Sequence, residues 1–171
     1  MNFKQTLEKI ESSEIFKLFK SKNPDAEFCA GFFMIDIETV IDKTLDYKLR
    51  DKIFTFTIDD NGNIIMNEDN LINIETGPKL TKIISEPKIE INELKGIVGI
   101  EALEQGINEK FQKIIAVLQN YKDKNDEQEK LIWNLTCILD KLIILHALID
   151  AETGIIIKFE KKDITDIMKL K

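Results

Sequence analysis

Residues Leu131 to Ile157 read LIWNLTCILDKLIILHALIDAETGIII. Two apolar runs flank Asp140-Lys141, and the second closes on an acidic turn, Ile149 to Gly154, before apolar residues resume. Neither run holds Gly or Pro. Trp133, Leu135, Cys137 and Leu139 fall on one side of an extended chain, with Asn134 and Thr136 on the other. The stretch predicts a hairpin, a reversing turn and a further strand, IIIKFEKK. Asp150 is expected to accept backbone N–H groups within the turn, and Gly154 to supply the positive φ that reverses the chain.

Upstream, the charged run Lys122 to Lys130 reads as a solvated loop, and KIIAVLQNY before it as another strand. Ile100, Leu103, Ile107 and Phe111 recur at helical spacing and predict a helix from Val98 to Phe111, with Gly106 inside it. The expected second core is Val98, Ile100, Leu103, Ile107, Phe111, Trp133, Leu135, Cys137 and Leu139. Residues 74–97, with Pro78 and Pro87 around a short amphipathic segment from Leu80 to Ile84, read as a connector holding one or two helical turns.

The first half follows the same order. Leu7, Ile10, Ile15, Phe16, Leu18 and Phe19 predict one helix ending before Asn23-Pro24. EFCAGFFMIDI is a strand, and a hairpin around Arg50-Asp51 puts Phe54, Phe56 and Ile58 on one face. The turn from Asp59 to Asn63 repeats the acidic start and the Gly of the later turn, with Asp59 and Gly62 in the corresponding roles. The fold class expected is α+β, as two consecutive units of a helix packed on an antiparallel sheet: 1–73, then the connector, then 98–171. A short helix is expected at the C-terminus.

From about Asn92 to Lys162 the chain resembles a PepSY-type domain. The resemblance lies in GIEALEQGINEKF, the Trp-bearing LIWNLTCIL and above all IDAETGIII, where Asp150, Ala151, Thr153 and Gly154 match the family's DA-x-TG-x-I/V signature. The first half looks like a degenerate copy. The resemblance implies an antiparallel sheet with a helix across one face and a non-enzymatic role, inhibiting or chaperoning peptidases or sensing at cell surfaces.

Composition narrows the function classes. A net charge of −7, from 31 acidic and 24 basic residues, repels phosphate backbones, and no basic stripe interleaves with aromatics. Nucleic acid is therefore not an expected partner. Neither a signal peptide nor a membrane span is read in the sequence, and Cys29 and Cys137 sit in apolar runs as core thiols, so a cytoplasmic location is expected.

The single histidine, His146, lies on an apolar strand face and reads as structural. No Gly-x-Ser-x-Gly, CxxC or HExxH pattern is present. The segment TIDDNGNIIMNE aligns loosely with a calcium loop through Asp59, Asn61, Asn63 and Glu68. It begins on Thr57 and follows a strand, so it reads as a plain turn. No cofactor, metal or catalytic residue is expected. The function expected is a non-catalytic module binding a protein or peptide by a sheet edge or a groove between units, as a monomer or homodimer. The alternatives are a small-ligand sensor with a cavity between helix and sheet, or an enzyme using Asp59, Asp60, Asp150 and Glu152.

Overall fold

The computed structural model describes residues 1–36, 39–70 and 80–163. Two short helices open the chain, α1 (Phe3–Glu11) and α2 (Glu14–Lys22). The sequence predicted one helix here, and the two serines divide it. Ser13 adopts an extended backbone (ψ 148°), its hydroxyl donating to the Ile10 carbonyl and accepting from the Phe16 N–H. Asn2 and Gln5 cap the start of α1 reciprocally, at 2.8 and 2.9 Å.

Eight strands follow: β1 (Glu27–Asp36), β2 (Thr39–Leu49), β3 (Lys52–Ile58), β4 (Ile64–Asn70), then β5 (Phe111–Tyr121), β6 (Lys130–Leu139), β7 (Ile143–Asp150) and β8 (Ile156–Asp163). Between β4 and β5 lies α3 (Ile91–Glu104). The strands form one antiparallel sheet in the order β4-β3-β2-β1-β5-β6-β7-β8. The α+β class is therefore correct. The two four-stranded meanders are joined by backbone hydrogen bonds between β1 and β5, with Ala30 opposite Gln119 and Asp36 opposite Lys113.

The hairpins fall where the sequence placed them. Arg50 (φ 57°) and Lys141 (φ 63°) take left-handed conformations at the β2–β3 and β6–β7 reversals.

The second helix differs from expectation. It starts at Ile91 and ends at Glu104 rather than running from Val98 to Phe111. Gly106 lies beyond it in the left-handed region (φ 77°). The Ile107 N–H reaches the Ala102 carbonyl at 2.8 Å and the Gly106 N–H reaches Leu103 at 3.0 Å, a Schellman cap. The inward stripe is Ile91, Leu94, Val98 and Ala102, whereas Ile100 and Leu103, expected in the core, are each 63% exposed.

A single core lies between the helices and one face of the sheet. Phe33, Leu45, Phe56, Leu118, Trp133, Leu135 and Ala147 are fully buried there, beside Phe3, Ile10, Leu94 and Val98 from the helices. Aromatic contacts bind α2 to the first meander, with Phe16–Tyr47 at 4.9 Å and Phe19–Phe54 at 4.8 Å, and Phe33–Trp133 at 5.8 Å links the two meanders. Residues 80–90 form no helix. They run as an extended strap across one end of the sheet, from the Phe28 carbonyl, bonded by the Ile83 N–H, to the β7–β8 turn. The expected terminal helix and the first residues of the expected connector lie outside the described residues.

Candidate binding surface

Both acidic turns have the geometry their residues predict. The Asp150 carboxylate accepts from the N–H groups of Glu152 (2.8 Å) and Thr153 (3.1 Å), and Gly154 has φ 78°. Asp59 accepts from Asn61 (2.9 Å) and Asn63 (2.7 Å), with Gly62 at φ 82°. Hydrogen bonds from the Asn63 backbone and its neighbours hold the Asp59 carboxyl below its ordinary value.

The IDAETG turn has a second task that the sequence reading missed. The Ala151 carbonyl accepts two N–H groups from the strap, Lys88 and Ile89, each at 2.9 Å, while its own N–H bonds Leu131. Ala151 is fully buried. The Trp133 indole N–H donates to the Ile89 carbonyl at 2.9 Å, and the Lys88 ammonium meets Glu152 at 2.8 Å on the surface. The turn thus fastens the strap that leads into α3. The signal was present in Pro87 and the alternation of Lys88 and Ile89, but periodicity carries no information about a long-range partner.

The four turn carboxylates do not converge. Strand β3 runs parallel to β1 and β7 parallel to β5, while β1 and β5 are antiparallel. The turn with Asp59 and Asp60 therefore lies at one end of the sheet and that with Asp150 and Glu152 at the other. Among the described residues, no group of three or more His, Cys, Asp or Glu is placed to hold a metal ion. Cys29 and Cys137 are free and buried, and burial pushes both thiols up to about 12. Among the described residues, no helix is long and apolar enough to cross a membrane.

Two surfaces stand out among the described residues. The first is an open cleft of about 820 Å³ beside α2 and the strap. Its apolar floor includes Phe16, Phe28, Tyr47 and Ile83, and Lys17, Lys20 and Lys82 stand among Glu11, Asp25 and Glu27 on its walls. Most of these groups are engaged. The Tyr47 hydroxyl donates to Glu11 at 2.9 Å, and the Lys20 ammonium donates to the Ala26 carbonyl.

The second is the sheet face opposite the helices. Cross-strand register builds it row by row. Phe32 lies opposite Val117, Val117 opposite Asn134 and Asn134 opposite Leu148; the next row is Met34, Ile115, Thr136 and His146, and the next Asp36, Lys113, Ile138 and Ile144. Phe32, Met34, Ile115, Val117, Ile138 and Ile144 are half-buried, and Leu148 is buried. None of the described helices packs on these rows, because all three contribute to the core on the other face. His146 lies within this band, 2.8 Å from the Asn134 carbonyl oxygen. Burial, then Lys158, lower its pKa, with Glu160 opposing.

Charge divides this face. Asp42 and Asp46 on β2 and Asp69 on β4, with Lys48 in the same row as Asp69, occupy one side; Lys158 and Lys162 on β8, around Glu160, occupy the other. The outermost strands are also charged, β4 with Glu68 and Asp69 and β8 with Lys158, Glu160, Lys161 and Lys162.

No protein-family model matches the chain, and no curated protein matches it. Its fold is similar to the crystal structure of a "putative lipoprotein" from Clostridium difficile 630, with a TM-score of 0.54 and 16% sequence identity over 87% of this chain and 91% of that one.

Proposed function

We propose that the protein is a non-catalytic binding module that receives a protein partner on the face of its sheet opposite the described helices. The observation that carries this reading is the band from Phe32 and Met34 through Val117 and Ile115 to Ile138 and Ile144. An antiparallel sheet with one covered face ordinarily turns polar residues outward, and this one places aliphatic and aromatic side chains there across four strands. The edge strands make poorer docking sites, since charges on β4 and β8 discourage strand addition. The separation of the turn carboxylates and the raised pKa values of both thiols support a role without catalysis.

We read the chain as a tandem of two PepSY-like units, the first degenerate. Its support is the shared order of helix and four-stranded meander in each half, together with IDAETG at the strap. A regulatory or inhibitory role toward a peptidase follows from that resemblance alone. The two free buried thiols favour a reducing compartment such as the cytoplasm.

The experiment is affinity capture from a lysate of the protein's own cells with the wild type and Val117→Lys. The reading expects capture of a protein by the wild type and its loss with Val117→Lys at unchanged circular dichroism. Capture that survives Val117→Lys, or that is lost on altering β4 or β8 instead, sinks it. A second reading, a small-ligand sensor, rests on the cleft beside α2. A library of small amphipathic acids raising the melting temperature of the wild type but not of Phe16→Ala is its test.

A further inference from the structure

We infer that the cleft beside α2 takes a short apolar peptide with both termini free, bound as a zwitterion. This rests on the second reading above, of the cleft as a ligand site, and names the chemistry of its ligand. Charge, floor and size carry it.

The charged groups lining the cleft fall into two sets. Those of the first are already held by the fold: the Glu11 carboxylate accepts from the Tyr47 hydroxyl, and the Lys20 ammonium donates to the Ala26 carbonyl. The second set is Lys17 on α2, Lys82 on the strap, Asp25 in the loop before β1 and Glu27 at the start of β1, all exposed. Lys17 meets Glu14 at 3.7 Å on the surface. Among the described residues, no ion pair or side-chain hydrogen bond engages Lys82, Asp25 or Glu27.

Cations and carboxylates thus line one cleft without pairing with each other. A simple anion placed there would meet Asp25 and Glu27, and a simple cation would meet Lys17 and Lys82. Like charges brought together at a binding site are costly, so the set favours a ligand that carries both signs. The carboxylate of a free peptide suits the lysines and its ammonium suits the carboxylates, each as a charge-assisted hydrogen bond.

The floor selects apolar side chains. The rings of Phe16 and Phe28 pack on Tyr47 with centroids at 4.9 and 5.6 Å, and the Ile83 N–H is fixed to the Phe28 carbonyl at 2.8 Å. These contacts exist before anything binds, which lowers the ordering cost of binding. A volume of about 820 Å³ lies within the range of small-molecule sites and has room for a di- or tripeptide.

Isothermal titration calorimetry with leucyl-phenylalanine, its N-acetyl form and its C-terminal amide tests this on the wild type, Lys17→Ala/Lys82→Ala and Asp25→Ala/Glu27→Ala. The wild type is expected to bind the free dipeptide, and each capped form about tenfold more weakly, as loss of one charge-assisted hydrogen bond requires. The lysine variant should bind the free dipeptide as weakly as the wild type binds the amide. The carboxylate variant should bind it as weakly as the wild type binds the N-acetyl form. Both variants should keep the circular dichroism of the wild type. No binding of the free dipeptide up to about 10 mM, where even a millimolar site would be mostly filled, overturns the inference, as do capped forms that bind as tightly as the free one. If amphipathic acids still raise the melting temperature through Phe16 in that case, the ligand class alone is wrong. If neither they nor the dipeptide bind, the reading of the cleft as a ligand site falls with it.

Discussion

Gly154→Ala isolates what the β7–β8 turn contributes. Gly154 has φ 78°, and a Cβ built there would lie 3.2 Å from the Ile89 Cδ1 and 3.7 Å from Cδ1 of Ile97. Two costs follow. Forcing Ala into the left-handed region costs about 1 kcal/mol, and the tight contact displaces Ile89, whose carbonyl and N–H both hold the strap. A displaced side chain in packed surroundings adds about 1 kcal/mol, so the expected loss is about 2 kcal/mol. Gly106→Ala is the internal control, because Gly106 has φ 77° with nothing within 4 Å of its Cβ position. Urea midpoints for the two variants, at equal slopes, should separate by the contact cost, Gly154→Ala being the less stable. Gly62→Ala should resemble Gly106→Ala, since its near neighbour is the flexible end of Lys9. Equal losses at Gly154 and Gly106 would refute the argument that the turn is packed against the strap.

Asp150→Ala removes two charge-assisted turn hydrogen bonds and should cost about 0.5–2 kcal/mol, whereas Glu152→Ala, losing a surface ion pair, should cost under about 0.5 kcal/mol by the same denaturation assay. Trp133→Phe should cost about 2–4 kcal/mol, because it leaves the Ile89 carbonyl without its donor and opens space in a fully buried site; a loss under about 1 kcal/mol in a calorimetric melt would contradict the indole bond. His146 lies near Lys158, Glu160 and Lys162, and its lowered pKa means that the unfolded chain binds the proton first. Stability should therefore be full above about pH 6.5 and decline as pH falls below it, and His146→Gln should flatten that part of the profile; a wild-type melting temperature that rises on acidification through that window would reverse the sign and refute the assignment.

The strands were legible in the sequence because alternation is a local property. Phe54, Phe56 and Ile58 announce their face whatever lies beyond them, and the turn residues Asp59, Gly62, Asp150 and Gly154 act on their own backbone. In the structure Phe54, Phe56 and Ile58 are buried, and Asp59 and Asp150 each accept backbone N–H groups within their own turns. The helices were harder, since an amphipathic segment rich in Ile and Leu supports more than one stripe. In α3, Ile91, Leu94, Val98 and Ala102 compete with Ile100 and Leu103, and the core settles the phase by burying the first set together with residues distant in sequence such as Phe33 and Trp133. Gly106 looked like an interruption because its Schellman bonds to Ala102 and Leu103 appear only once the helix has ended.

The sheet face opposite the described helices illustrates why alternation alone did not disclose an apolar band. Thr136 and Asn134 make β6 look half polar, and His146 does the same for β7, so each strand read singly has one wet side. Register changes the picture. It sets Met34 beside Ile115 and Phe32 beside Val117, and lines up Ile138 with Ile144, so that residues from four strands form a single apolar band with charges gathered at its flanks. A solvated face gains nothing from such concentration, because scattered apolar residues lower solubility less than a continuous band does. The band's position, opposite the helices and centred on the strand pair that joins the two meanders, also means that any occupant touches both halves at once. A partner bound there would resist separation of β1 from β5, the neighbouring strands in the sheet that are not consecutive along the chain. Occupancy of the face and integrity of the fold are therefore coupled: binding should raise the unfolding midpoint with the logarithm of ligand concentration over its dissociation constant, and Val117→Lys should remove that increment while leaving the midpoint of the unbound protein nearly unchanged.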